Sequence, residues 1–280
     1  MLPASSAQVF ASWLAAALVI GGAASLPVDR VPAASTAPGV EAAGDGQQVT
    51  LRLVSQRPKR SDGYAALGLT GANKPNGVEY RLRQSVPDKT PEFVPRAEDG
   101  LELFVADATG EGWLAFYRTP LERWEGAANP EFAAALFSPS GERRWKLRLN
   151  DFLSRPDRLE IQDVRYSGGR LYFNEACQSY SREALGRCSS LVRVDPAARL
   201  VDWRTPPLTS NGVFILHGPW VIAGYGFTAE PDFLHVVDRE TGRVLARRRL
   251  DSAASYLEMK DGRLHVVTYN SVYVFEVEGR

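Results

Sequence analysis

Residues 234–246 read LHVVDRETGRVLA, and their reading decides the fold of this 280-residue chain. Two apolar runs, rich in residues that suit a pleated surface, flank a polar turn. Asp238 can accept bonds from backbone N–H groups just ahead of it, and Gly242 can take the positive φ that closes a tight turn. The stretch is therefore two antiparallel strands joined by a short hairpin. The same grammar stands at ALFSPSGERRWKL, residues 135–147, and at LVRVDPAARLVDW, residues 191–203. Trp145, Trp203 and Ala246 align in the three copies, 58 and 43 residues apart.

A second hairpin type alternates with the first. VRYSGGRLYF at 164–173, ILHGPWVIAG at 215–224 and LEMKDGRLHVV at 257–267 each place a glycine between apolar runs. Gly169, Gly218 and Gly262 are spaced 49 and 44 apart. Two hairpins per period of roughly 45–50 residues make four strands per repeat, the signature of a propeller blade.

The outer hairpin resembles the quinoprotein-like, PQQ-type β-propeller repeat, whose blades carry an Asp, then Thr-Gly, then a Trp. Asp238, Thr241 and Gly242 match, with Ala246 at the Trp position. Asp195 and Trp203 match, with Ala198 and Arg199 in place of Thr-Gly. Ser140, Gly141 and Trp145 match, with Phe137 in place of the Asp. The resemblance covers residues 101–278 and implies an all-β propeller in which the Trp packs blade on blade. It does not imply the cofactor: quinoprotein dehydrogenases are larger propellers with quinone and calcium ligands at the hub, and none of those ligands maps onto this chain.

Strand counting places one blade at 101–150, a second at about 160–205 and a third at 212–250. The last has only three strands, near 255–259, 263–268 and 272–277. A three-stranded blade leaves an exposed edge, and closed propellers cover it with a strand from the other terminus. VTLRLV at 49–54 is the expected donor. YAALGLT at 64–70 and VEYRLRQ at 78–84 can begin a further incomplete blade, so the expectation is four or five blades within residues 49–280.

Thirty-three basic residues balance thirty-three acidic ones, which disfavours a polyanionic partner such as nucleic acid. Residues 9–26, VFASWLAAALVIGGAASL, carry no charge and end in small residues, so residues 1–26 read as a signal peptide or, uncleaved, a membrane anchor. Residues 27–48 are rich in Pro, Ala and Gly and read as a disordered linker. The chain is thus expected to be exported, to a periplasmic, extracellular or outward-facing membrane-anchored position, and to touch membrane only through residues 9–26. In an oxidising compartment Cys177 and Cys188, the only cysteines, are expected to form a disulfide. Zinc lacks a ligand set here, and Cys-x-x-Cys redox spacing is absent.

That bridge clamps a long connection between the strands GRLYFN and SLVRVD. Long ordered loops on rigid scaffolds are where binding concentrates, so Gln178, Tyr180, Arg182 and Arg187 are the expected partner-binding residues. Other candidates have plainer readings. His217, His235 and His265 fall on different strand types and need not converge on a metal. Arg243, Arg247, Arg248 and Arg249 alternate faces on an outer strand. Trp113, Trp124 and Trp220 suit blade packing, and Glu160 with Asp163 is too ordinary a pair to assign as acid and base. No nucleophile, zincin or phosphate-loop motif occurs. The expectation is a non-enzymatic envelope or secreted binding or scaffold protein, with no cofactor and no metal. The alternative is a small-molecule enzyme, a degenerate quinoprotein or a hydrolase, with its site at the hub.

Overall fold

The computed structural model describes residues 48–59, 90–120, 123, 130–155, 159–178 and 180–279. The candidate signal segment, the further-blade segments 64–70 and 78–84, and Trp124 lie outside the described residues. The first strand, β1 (Val49–Pro58), belongs to the last sheet. The first sheet follows, with β2 (Ala97–Glu98), β3 (Leu101–Thr109), β4 (Gly112–Arg118), β5 (Phe132–Phe137) and β6 (Arg143–Arg148) paired in that order. The second runs β7 (Leu159–Ser167), β8 (Arg170–Cys177), β9 (Ser190–Asp195) and β10 (Leu200–Arg204). The third runs β11 (Phe214–His217), β12 (Trp220–Tyr225), β13 (Phe233–Asp238) and β14 (Val244–Arg249). β15 (Ala254–Lys260), β16 (Arg263–Thr268) and β17 (Ser271–Gly279) form the last sheet, and β1 pairs along β17 from Val49 opposite Gly279 to Pro58 opposite Ser271. The chain is an all-β propeller with four blades among the described residues, the last completed by the N-terminal strand. One departure from the even pattern is β2, a two-residue addition beside β3.

Burial follows position in the blade. β8 and β12 are buried at every position but the first, because each has a neighbouring blade on both faces; β5 is buried along its whole length, one face against the second blade and the other against Phe93, Val94 and Leu101 before and within its own blade. The outermost strands carry the charge: four of the five residues of β10 are exposed, and Arg247, Arg248 and Arg249 on β14 are exposed in a row. Charge on an outer edge deters pairing with another chain.

The outer hairpin works as its composition implies. The Asp238 carboxylate accepts from Glu240 N at 3.0 Å, Thr241 N at 2.7 Å and Thr241 Oγ1 at 2.9 Å, and Gly242 adopts φ +73°. Trp203, from the blade before, lies against this turn and donates from Nε1 to Arg239 O at 3.1 Å. A Cβ on Gly242 would stand 2.7 Å from the Trp203 ring, so this glycine is required by φ and by contact alike. Trp145 packs on Tyr166 of the next blade in the same way, with ring centres 5.5 Å apart. In the degenerate copy Asp195 still accepts from Ala197 N and Ala198 N, but Arg199 must take φ +55° where a glycine would do so without strain.

Candidate functional site

Four antiparallel blades give the molecule two ends with different chemistry. The carboxy-terminal ends of the innermost strands β3, β7, β11 and β15 converge on one cavity of about 360 Å³, lined among others by Asp107, Arg165, His217 and Glu258. The turns between first and second strands are at this hub end. By the alternation of strand direction, the second strands end and the third strands begin at the opposite end: Arg118 and Phe132, Cys177 and Ser190, Tyr225 and Phe233, Thr268 and Ser271. The disulfide loop is on that opposite face.

At the hub, Arg165 Nη1 stands 3.2 Å from Asp107 Oδ2 and 2.8 Å from Asp163 Oδ1. All three residues are buried: Asp163 is completely inaccessible, and the Asp107 and Arg165 side chains are 4% and 7% exposed. Asp163 also accepts from Val164 N at 3.0 Å and from Phe214 N, on the third blade, at 3.2 Å. Asn174 continues the seam, accepting from Asp163 N at 3.0 Å and donating to Gly212 O at 2.6 Å. A buried carboxylate persists where it is paired and hydrogen-bonded, and this cluster joins blades one, two and three. The hub is not the packed apolar and neutral channel expected of a scaffold, since two carboxylates do converge there. They converge on a guanidinium and on backbone N–H groups.

On the opposite face Cys177 and Cys188 are bonded, with Cα atoms 5.1 Å apart and both residues buried. The loop between them begins as a short 3-10 turn, Ser181–Ala184. Its second tether reaches the neighbouring blade: Ser181 donates from N to Glu230 Oε1 and from Oγ to Glu230 Oε2, each at 2.7 Å, and Tyr225 OH donates to the same carboxylate. Burial alone would raise the Glu230 carboxyl, but these bonds hold it below the ordinary range. Tyr180 packs on Phe227 with ring centres 5.8 Å apart, and the Arg182 guanidinium lies over the Tyr180 ring. Gln178, Arg182 and Arg187 are exposed, and Tyr180 is half-buried. Of the four expected residues, Tyr180 is thus part of the tether and the others face solvent. The most exposed apolar side chain of the loop, Leu185 at 72%, was not singled out by sequence reasoning, because a lone Leu in a polar stretch carries no pattern.

The remaining candidates disperse. His217 is on the innermost strand of its blade, His265 on a second strand opposite Glu258, and His235 on a third strand opposite Arg247. Arg247 lies over the Phe233 ring, 3.4 Å from its centre. Trp113 and Trp220 are partly buried and pack against apolar clusters. Glu160 accepts from Gln162 on its own strand, away from the role of an acid–base partner to Asp163.

His235 is 4% exposed and its Nδ1 has no hydrogen-bond partner. Burial, with Arg247 nearby, depresses its pKa to about 4. A histidine held neutral in the native state contributes stability that is present above its unfolded pKa near 6.5 and lost as pH falls toward 4. Asp232 acts in the opposite sense, since burial and the nearby Asp251 raise its carboxyl to about 6. Between pH 7 and 4.5, His235→Gln is therefore expected to remove about 2 kcal/mol of acid destabilisation. Urea midpoints at the two pH values check this, and an unchanged pH slope in the variant would refute it.

No protein-family model matches the chain, and no curated protein matches it. Among solved structures, the β-propeller domain of the Trilobed protease from Pyrococcus furiosus is similar over 65% of this chain and 57% of its own length, at 11% identity and a TM-score of 0.42. BamB from Moraxella catarrhalis is similar over 65% of this chain and 61% of its own, at 12% identity and a TM-score of 0.31. Glutaminyl cyclase from Myxococcus xanthus is similar over 64% and 74%, at 10% identity and a TM-score of 0.36. The chain spans less than two thirds of the first two. Likeness at this level carries no activity or partner to this chain, and the propeller rests on its own four sheets.

Proposed function

We propose that this chain is an exported, non-enzymatic binding protein of the cell envelope or its surroundings, and that another protein docks on the face carrying residues 178–187. One observation carries the reading: a surface loop is fixed at three points, by the Cys177–Cys188 bond, by the Ser181–Glu230 pair and by Tyr180 against Phe227, although its outer residues fill no core. Ordering a surface segment costs conformational entropy, and binding gains when that cost is met before the partner arrives. The buried, bonded cysteines support export, because cytosolic thiols are kept reduced. The small-molecule alternative draws on the hub cavity, but Asp107 and Asp163 there are engaged by Arg165 rather than poised for proton transfer.

Replacing residues 178–187 by a short Gly-Ser link tests the reading. The replaced domain is expected to keep its far-ultraviolet spectrum and a cooperative melt while losing partners that the native domain retains from an envelope extract. Retention of the same proteins by both forms would sink the proposal.

A further inference from the structure

The connection 226–232 carries both contacts that the third blade gives the disulfide loop, Phe227 against Tyr180 and Glu230 against Ser181, and it ends on Asp232. The Asp232 carboxylate is badly placed for a charge. Its Oδ1 is shut off from water and has no hydrogen-bond partner among the described residues. It lies so close to Gly226 that a Cβ there would stand 1.8 Å from it. The Gly226 amide cannot serve it, being committed to Asn211 Oδ1 at 3.0 Å. A buried carboxylate oxygen without a donor costs free energy that a neutral carboxyl largely avoids.

The charge around Asp232 adds to that cost. Leu250 N donates to Asp232 O at 2.9 Å, which brings the connection between β14 and β15 alongside, and with it the Asp251 carboxylate. Asp251 is well supplied with donors: Thr268 Oγ1 at 3.0 Å, Ser252 Oγ at 3.2 Å and Ser271 Oγ. Burial alone would raise its carboxyl, but these bonds hold it below the ordinary range, so Asp251 stays an anion beside Asp232. Among the described residues the cation that faces Asp232 is Arg249, at the end of β14, which is exposed and so screened by water. Within its own connection Asp232 has as neighbours Glu230, an anion held by its own donors, and Tyr225, kept neutral by burial. Burial first, and Asp251 second, push the Asp232 carboxyl up to about 6.

From this arrangement we infer that Asp232 is a proton-operated latch on the disulfide loop. With the carboxyl neutral, the connection 226–232 packs down and presents Glu230 and Phe227 to Ser181 and Tyr180. With it ionised, the carboxylate draws toward water, the connection loosens and the second tether of the loop opens more often, while the Cys177–Cys188 bond is untouched. The sign follows from the raised carboxyl: its contribution to the closed form is full below the ordinary value of 3.8 and is lost as pH rises through about 6. The latch needs no docked partner. Under the binding-protein reading it adds regulation, since the loop face is best ordered in acid.

Exchange of the Ser181 amide, which donates to Glu230 Oε1, reads the tether directly. On the intact domain, corrected for intrinsic exchange, its opening equilibrium is expected to rise about three- to tenfold from pH 5 to pH 7.5, and to exceed that of the β12 amides at both. Asp232→Asn keeps the shape of the side chain without its charge and should hold the Ser181 amide at its acid-level protection throughout. Asp251→Asn should move the midpoint of the change to lower pH. An opening equilibrium indifferent to pH in the native domain, an equal rise in Asp232→Asn, or a midpoint that stays in place in Asp251→Asn would overturn the latch. Opening no more frequent than that of the β12 amides would overturn it too, because the whole domain would then be unfolding. These results bear on loop order alone. The latch fails if the Ser181 amide ignores Asp232, whatever the Gly-Ser replacement does to binding, and the docking reading fails on that replacement, whatever the Ser181 amide shows.

Discussion

Deleting residues 1–48 should leave a cooperatively folded domain, and deleting residues 1–56 should not. The second deletion removes most of β1, whose Val49 and Leu51 are 6% and 8% exposed and pack in the cluster shared by the last two blades. Returning two such side chains to water, with Leu53 partly buried beside them, costs about 4–6 kcal/mol. It also strips the ladder from β17, leaving a nine-residue edge with unpaired backbone groups. A loss of that size is comparable with the whole stability of an ordinary domain. Aggregation or a missing thermal transition in the 1–56 deletion, against a normal transition in the 1–48 deletion, is the expected pair of results. Matching melts for the two truncations would show that β1 does not close the last blade in solution.

Arg165→Met is expected to destabilise the domain by about 3–5 kcal/mol at neutral pH, far more than the loss of an exposed ion pair. The substitution keeps the length of the side chain but leaves Asp107 and Asp163 buried without their shared cation. The penalty comes from the carboxylates, so it should shrink in the double variant Arg165→Met with Asp107→Asn. Denaturant unfolding at pH 7 measures both effects. A loss below about 1 kcal/mol in the single variant would mean that the cluster is solvated and free for chemistry, and would revive the small-molecule reading of the hub.

The repeat was legible in the sequence because it is local. Alternating apolar runs, glycines at the turns and the Asp238–Gly242 pattern are contacts between residues a few positions apart, and such contacts leave periodic traces. Even the closure by residues 49–54 followed from a count: three strands at the end of the chain and one strand-like run at the start. The disulfide followed from the chain's two cysteines and from the export that its N-terminal residues led one to expect. Trp203 was readable as a blade-packing residue from its place in the motif, though not its partner, the turn at Gly242 in the next blade.

What the tertiary structure alone decided is where residues distant in sequence meet. Nothing near Asp107 announces Arg165, 58 residues away, because Coulomb attraction in a buried seam acts through space and imposes no spacing on the chain. The tether from Ser181 to Glu230 crosses 49 residues and two blades, and so escaped any local reading. Leu185 is the sharpest case. Its identity is unremarkable in the sequence, and its left-handed backbone and its exposure follow only from a disulfide and a neighbouring blade that hold the loop from either side.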